Sequence, residues 1–230
     1  MPDAISAALD AVRSRIDTAA RAAGRSPESV SLLAVSKTFP ADALRAARTA
    51  GQRAFGENYV QEFGAKASAL ADLDIEWHFI GPLQSNKTRI VAETAHWVHS
   101  VDRFKIGERL SVQRPTGLPP LNICLQVNVS GEGSKSGCRF EEAVKLAHEL
   151  DVLPNLRLRG LMCIPEATDD RDRLAGQFAR LVELFATLRA QGLELDTLSM
   201  GMSGDLECAV QAGSTMVRVG SAIFGLRHYP

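Results

Sequence analysis

The feature that most restricts the fold of this chain is a rhythm. A short apolar run, a break at Gly, Asn, Ser or Pro, and a helical stretch follow one another eight times. The expected strands are Ser31–Ser36, Arg53–Gly56, Ile75–Ile80, Trp97–Ser100, Leu121–Val129, Leu156–Cys163, Thr197–Met200 and Met216–Val219. Between them, apolar residues recur at helical spacing, as in Phe178, Leu181, Val182, Phe185 and Leu188. Connections of a dozen or more residues are what parallel neighbours need, so these strands are expected to run parallel. An amphipathic helix precedes them, carried by Ile5, Leu9, Val12 and Ile16 and ended near Gly24. Eight units with one extra N-terminal helix predict an α/β fold, a single (β/α)8 TIM barrel over residues 1–230, slightly under the usual length of about 250. A doubly wound sheet would more naturally have six strands, and the Gly-rich dinucleotide fingerprint is missing.

Charge and composition remove whole classes of function. Lys and Arg total 26 against 27 Asp and Glu, with no long block of one sign, so nucleic acid is not an expected partner. Apolar runs such as Leu32–Val35 are far shorter than the about 20 residues of a membrane span, and no membrane partner is expected. Asp3, Asp10 and Asp17 disfavour a signal or transit peptide, which leaves a cytoplasmic location as the expectation. Cys124, Cys138, Cys163 and Cys208 lack C-x-x-C spacing, so no metal site is expected and buried reduced thiols are the simpler reading.

In a barrel of this kind the chemistry collects where the strands end. Lys37 stands directly after the first apolar run. There, apolar walls would lower its pKa and suit a Schiff base with an aldehyde; a solvated lysine beside a strand end is the alternative. In TLSMGMSGD, Gly201 and Gly204 let the backbone approach a ligand, Ser203 offers a hydroxyl, and a helix begins near Leu206. Gly220 and Ser221 follow the eighth strand, and loops after strands seven and eight of these barrels often hold a phosphate. Either loop alone reads as a routine turn; together with Lys37 they point to a phosphate pocket beside an amine. Arg218, if it points inward, needs a partner: a ring nitrogen, which a permanently protonated arginine would keep unprotonated, or a carboxylate such as Glu57.

The stretches AVSKTFP, FGENYVQE, WHFIGPLQSNK, SMGMSGD and VRVGSAIFG resemble the pyridoxal phosphate homeostasis protein family, the YggS/PROSC group, from about Ser31 to Tyr229. That family is similar in fold to the N-terminal barrel of alanine racemase, a fold-type III-like architecture. The resemblance implies pyridoxal 5'-phosphate (PLP) as cofactor, held as a Schiff base on Lys37, with Ser203, Gly220 and Ser221 at the phosphate and Arg218 facing the pyridine nitrogen. Asn58 follows the second strand, where it can bond the ring hydroxyl or the lysine, or cap the next helix. His78 either leans toward the cofactor or is a satisfied core histidine. Lys135 sits among Gly131, Gly133 and Gly137, a composition that suits a mobile flap; the resemblance makes it a second PLP contact, and a solvated loop lysine is the alternative. Met162, Cys163 and Pro165 are expected only to pack the mouth.

Racemases of this fold use two bases, the second from a separate β domain. With the sequence ending at Pro230, and with Arg218 weakening the electron sink, the expected role is PLP storage or delivery. A racemase using Tyr59 as second base is the alternative, and a phosphosugar isomerase or aldolase would need an acid/base pair not evident beyond Glu57. PLP and PLP-dependent apo-enzymes are the expected partners, and a monomer the expected state.

Overall fold

In the structure, a computed structural model that describes residues 2–131 and 136–225, eight parallel strands close into a barrel. They are β1 (Ser31–Val35), β2 (Ala54–Glu57), β3 (Glu76–Phe79), β4 (Trp97–Val101), β5 (Leu121–Gln126), β6 (Leu156–Met162), β7 (Thr197–Ser199) and β8 (Met216–Val219). The expected alternation is borne out, with boundaries within a residue or two except at β5. There the apolar run extends to Val129, but the backbone leaves the sheet at Gln126. Asn128 N–H and Cys138 N–H instead bond Cys138 O and Gln126 O across the returning loop. Strand β8 pairs with β1 in the register Ser31 to Met216 and Leu33 to Arg218, which closes the barrel.

The helices are α1 (Pro2–Ala22), α2 (Ala41–Thr49), α3 (Val60–Ala69), α4 (Thr88–Thr94), α5 (Phe104–Gln113), α6 (Phe140–Asp151), α7 (Arg171–Ala190), α8 (Leu206–Ala212) and α9 (Ser221–Phe224). Helix α1 buries Leu9, Val12 and Ile16 against α2, α8 and α9, each worth about 1.5–3 kcal/mol. That face ties the extra helix to the seam between β8 and β1.

Strand periodicity divides the side chains into two layers. Ala34, Phe55, Trp77, Phe79, Val98 and Val217 join the helices in the main core. Leu33, Val35, Ile80 and Met216 form a smaller cluster inside the barrel, and Trp97, Cys124 and Met162 another. Lys37 has the parity of Leu33 and Val35, so the strand that carries it aims it over the barrel opening. No helix among the described residues is long and apolar enough to cross a membrane.

Candidate functional site

A cavity of about 240 Å³ opens at the C-terminal mouth, walled by Val35, Ile80, Ile164 and Met202. Seven of the residues singled out above line it: Lys37, Asn58, Ser203, Gly204, Arg218, Gly220 and Ser221. Residues from β1, β2, β7 and β8 thus meet in one place, as expected of strand ends in a closed parallel barrel. Two wider clefts, of about 690 and 660 Å³, run beside it along 164–175 and α8. Both are lined by carboxylates such as Asp169 and Asp205, and neither contains a lysine, so neither offers an amine to an aldehyde.

Lys37 rests on a buried ionic mount. Lys66 of α3, almost fully buried, donates from Nζ to Ser36 O and to Glu57 Oε1, both at 2.7 Å, and lies 2.7 Å from Glu62 Oε1. Ser36 Oγ donates to the same Glu57 oxygen at 2.7 Å, and Thr38 N–H to Glu62 Oε1 at 2.6 Å. The residues on either side of Lys37 are therefore both anchored. Thr38 has φ +71°, a left-handed conformation uncommon for a branched residue, and its bond to Glu62 compensates. Burial pushes the Glu57 carboxyl up, opposed by the adjacent Lys66 ammonium.

The loop opposite is held from below. Gly201 has φ +98°, and a Cβ there would stand 2.6 Å from Ala209 Cβ, so the chain turns tightly onto α8. Met202 N–H bonds the Asp205 carboxylate, and Ser221 Oγ donates to Ser203 Oγ at 3.2 Å. Arg15 reaches over from α1, donating to Ser203 O at 3.0 Å and pairing with Glu207 at 2.8 Å. On the far side, a Cβ on Gly81 would lie 2.1 Å from Asn58 O, so only glycine lets the loop after β3 press Asn58 toward the cavity.

Arg218 forms the floor, 4% exposed. Its Nη1 donates to Ser199 O at 2.6 Å and Ser199 Oγ at 2.9 Å, and its Nη2 to Cys163 O at 2.8 Å. The alternative of an ion pair with Glu57 is overturned: that carboxylate is turned outward to Lys66, and Arg218 makes no salt bridge among the described residues. Cys163 thus has a structural duty through its carbonyl, while burial pushes its thiol, with those of Cys124 and Cys138, up to about 12.

His78 requires correction as a cofactor contact. It lies inside the barrel, fully buried, below the residues that line the cavity, with both ring nitrogens taken by Glu76 and His99. It stacks on Trp97 at 5.6 Å, so it is the satisfied core histidine. Lys135 lies outside the described residues. Sequence reasoning missed Arg15, Glu62, Lys66, His99 and Ser199; only the Glu62/Lys66 spacing of four signalled a pair, and that reads as a solvated helix face.

Burial holds the imidazoles of His78 and His99 below the ordinary histidine range, His99 well below it. Both are neutral in the folded protein, whereas the unfolded chain takes up protons near pH 6.5. Stability is therefore fully present above that pH and is lost as the pH falls from it toward each ring's lowered folded value, a longer window for His99 than for His78, with a limiting slope of about 1.4 kcal/mol per pH unit for one ring. Denaturant titrations from neutral pH into the acid range should show this slope, and His99→Gln should make it shallower.

An eight-stranded parallel barrel with a lysine, a buried arginine and serine donors around one mouth has the architecture of an alanine racemase N-terminal domain, and the model of that family matches residues 7–228. Alanine racemase from Corynebacterium glutamicum superposes with a TM-score of 0.71 at 18% identity, over 98% of this chain and 62% of that one, a likeness of fold. Within that class, the chain belongs to the pyridoxal phosphate homeostasis protein family. It is 62% identical over 218 residues to the Pseudomonas aeruginosa member, covering 95% of this chain and 94% of that one. The Escherichia coli K12 member is 52% identical over 224 residues, 96% of each. PipY of Synechococcus elongatus, solved with PLP bound, superposes with a TM-score of 0.86 at 39% identity, over 96% of this chain and all of PipY.

Proposed function

We propose that this protein binds PLP at the C-terminal mouth of its barrel, held as a Schiff base on Lys37, and serves intracellular PLP homeostasis by storing the cofactor or delivering it to PLP-dependent apo-enzymes. In this reading residues 1–230 act as one PLP-binding domain, a cytoplasmic monomer. The observation that carries it is the convergence of Lys37, Arg218 and the Ser203 and Ser221 hydroxyls on one small cavity. The donor set fits the group. Asn58 Oδ1 is buried without a hydrogen-bond partner among the described residues, and a ring hydroxyl would satisfy it. Ser203, Gly220 and Ser221 offer hydroxyl and backbone donors to a phosphate, and the buried Arg218, which makes no salt bridge among the described residues, favours an arriving anion.

PLP supplies an aldehyde that condenses with a primary amine, releasing water, and a pyridine ring that acts as an electron sink when its nitrogen is protonated. Arg218 can only donate, so at that nitrogen it stabilises the unprotonated ring and favours retention over turnover. Tyr59, the second base of a racemase reading, is 53% exposed and is not among the cavity-lining residues, so storage is preferred.

Adding PLP to the apo-protein should produce visible Schiff-base absorbance, and borohydride followed by peptide mapping should find the label on Lys37. A colourless protein that takes up no PLP would overturn the reading. Arg15→Ala, which removes the support of the Ser203 carbonyl, should weaken PLP binding about fivefold, the equivalent of one hydrogen bond, as measured by equilibrium titration.

A further inference from the structure

An unbroken line of hydrogen bonds crosses the barrel from its N-terminal rim to the cavity floor. Glu76 begins β3, and its side chain is 45% exposed. Its Oε1 lies 2.7 Å from His78 Nε2, and His78 Nδ1 lies 2.9 Å from His99 Nε2. His99 Nδ1 is 2.8 Å from Ser199 Oγ, which accepts from Arg218 Nη1 at 2.9 Å. The three inner members and Arg218 are buried.

The two ends dictate the direction of every link. A guanidinium only donates and a carboxylate only accepts. Ser199 Oγ accepts a hydrogen bond from Arg218, so its own hydroxyl hydrogen goes to His99 Nδ1. His99 Nε2–H then donates to His78 Nδ1, and His78 Nε2–H to Glu76. In the reverse order the Ser199 hydroxyl hydrogen would lose its acceptor in the line, and a bare His78 nitrogen would face a carboxylate. Burial opposes the remaining arrangement, an imidazolium, because the charged form would lose its hydration.

We infer that Glu76, His78, His99 and Ser199 form a one-way hydrogen-bond relay that positions Arg218 beneath the cavity, with both imidazoles locked as neutral Nε2–H tautomers. None of the four lines the cavity, so they act through Arg218 rather than on a ligand. Aligned links polarise one another and strengthen together. The relay also compensates a buried guanidinium that has no ion pair, by leading its polarisation to a carboxylate at the opposite rim. His78 is further pinned by its stack on Trp97, interplanar angle 7°, with Arg159 4.8 Å from the Trp97 ring centroid. A change at the exposed Glu76 is therefore felt at the opposite end of the barrel.

The tautomer assignment stands apart from the PLP reading; only the cofactor readout rests on it. In ¹⁵N-labelled protein without PLP, long-range proton–nitrogen spectra should show bare Nδ1 and protonated Nε2 for both histidines. Glu76→Ala, at a half-exposed site, should keep the fold and shift the signals of His78, His99 and the Arg218 guanidinium. Glu76→Gln, which keeps an accepting oxygen, should restore the His78 tautomer. An Nδ1-protonated ring or an imidazolium at neutral pH would overturn the relay, as would Glu76→Ala changes confined to His78. PLP release should be about fivefold faster in Glu76→Ala and Ser199→Ala, and return toward wild type in Ser199→Thr. A wild-type protein that takes up no PLP but shows the expected tautomers would sink the storage reading and leave the relay intact. Wild-type release rates in both variants would overturn the positioning role.

Discussion

Lys37→Ala is expected to keep the far-UV circular dichroism of the wild type and to lose the visible absorbance that PLP produces on it. The lysine is only partly buried at the barrel mouth, so truncation removes little packing. Its backbone is held independently, by Ser36 O on Lys66 and Thr38 N–H on Glu62, so the strand end stays in place without the side chain. Without that amine, borohydride should leave no label in the peptide containing residue 37. PLP would be retained only through the serine donors, Arg218 and Asn58, with affinity lower by roughly 100-fold, the equivalent of about 3 kcal/mol. Absorbance and equilibrium dialysis measure the two effects separately. An unfolded variant would contradict the placement of Lys37 at the mouth, and undiminished absorbance would move the covalent site elsewhere.

Lys66→Met should be the most destabilising single change in the neighbourhood of the site. Glu57 is fully buried, and its Oε2 already has no partner among the described residues. Removing the ammonium leaves Oε1 with the Ser36 hydroxyl alone and strands a carboxylate between β2 and α3. Breaking a buried pair from one side costs about 3–5 kcal/mol, a loss in Tm of roughly 10 °C for a chain of this size. Differential scanning calorimetry checks the value. Combining it with Glu57→Gln, which removes the stranded charge, should recover part of the loss. An unchanged Tm in Lys66→Met would mean that the pair carries no weight. Ser36 and Thr38 flank Lys37, so the same variant should also bind PLP less tightly than the wild type.

The architecture was legible because every level of the sequence agreed. Short β-rich runs, helical periodicity between them and crossover lengths that only parallel strands require left one closed topology. The β5 boundary was misread because Val127 and Val129 continue the apolar pattern, while past Gln126 the chain bridges to the returning loop, with Asn128 N–H and Gln126 O both bonded to Cys138. At the site, Lys37, Asn58, Ser203, Arg218, Gly220 and Ser221 could be found because each stands at or just beyond a strand end, where a barrel gathers its chemistry. His78 was ambiguous for the same reason. It lies one turn of the pleat below Ile80, and only the register of β3 against β4 shows that its ring meets His99 rather than the cavity.

From the order of residues alone came the eightfold repeat, the parallel barrel and the small set of strand-end residues around one amine. Those depend on local periodicity and connection length, which are properties of the chain taken in order. The partners of those residues depended on contacts between segments far apart in sequence. Arg15 meets Ser203 across 188 positions and His99 meets Ser199 across 100, while Glu57 turns to Lys66 instead of Arg218 because strand parity faces it outward. Such pairings are set by which side of the barrel wall a side chain occupies and how far along the axis it sits. Both are fixed only when the eighth strand closes on the first.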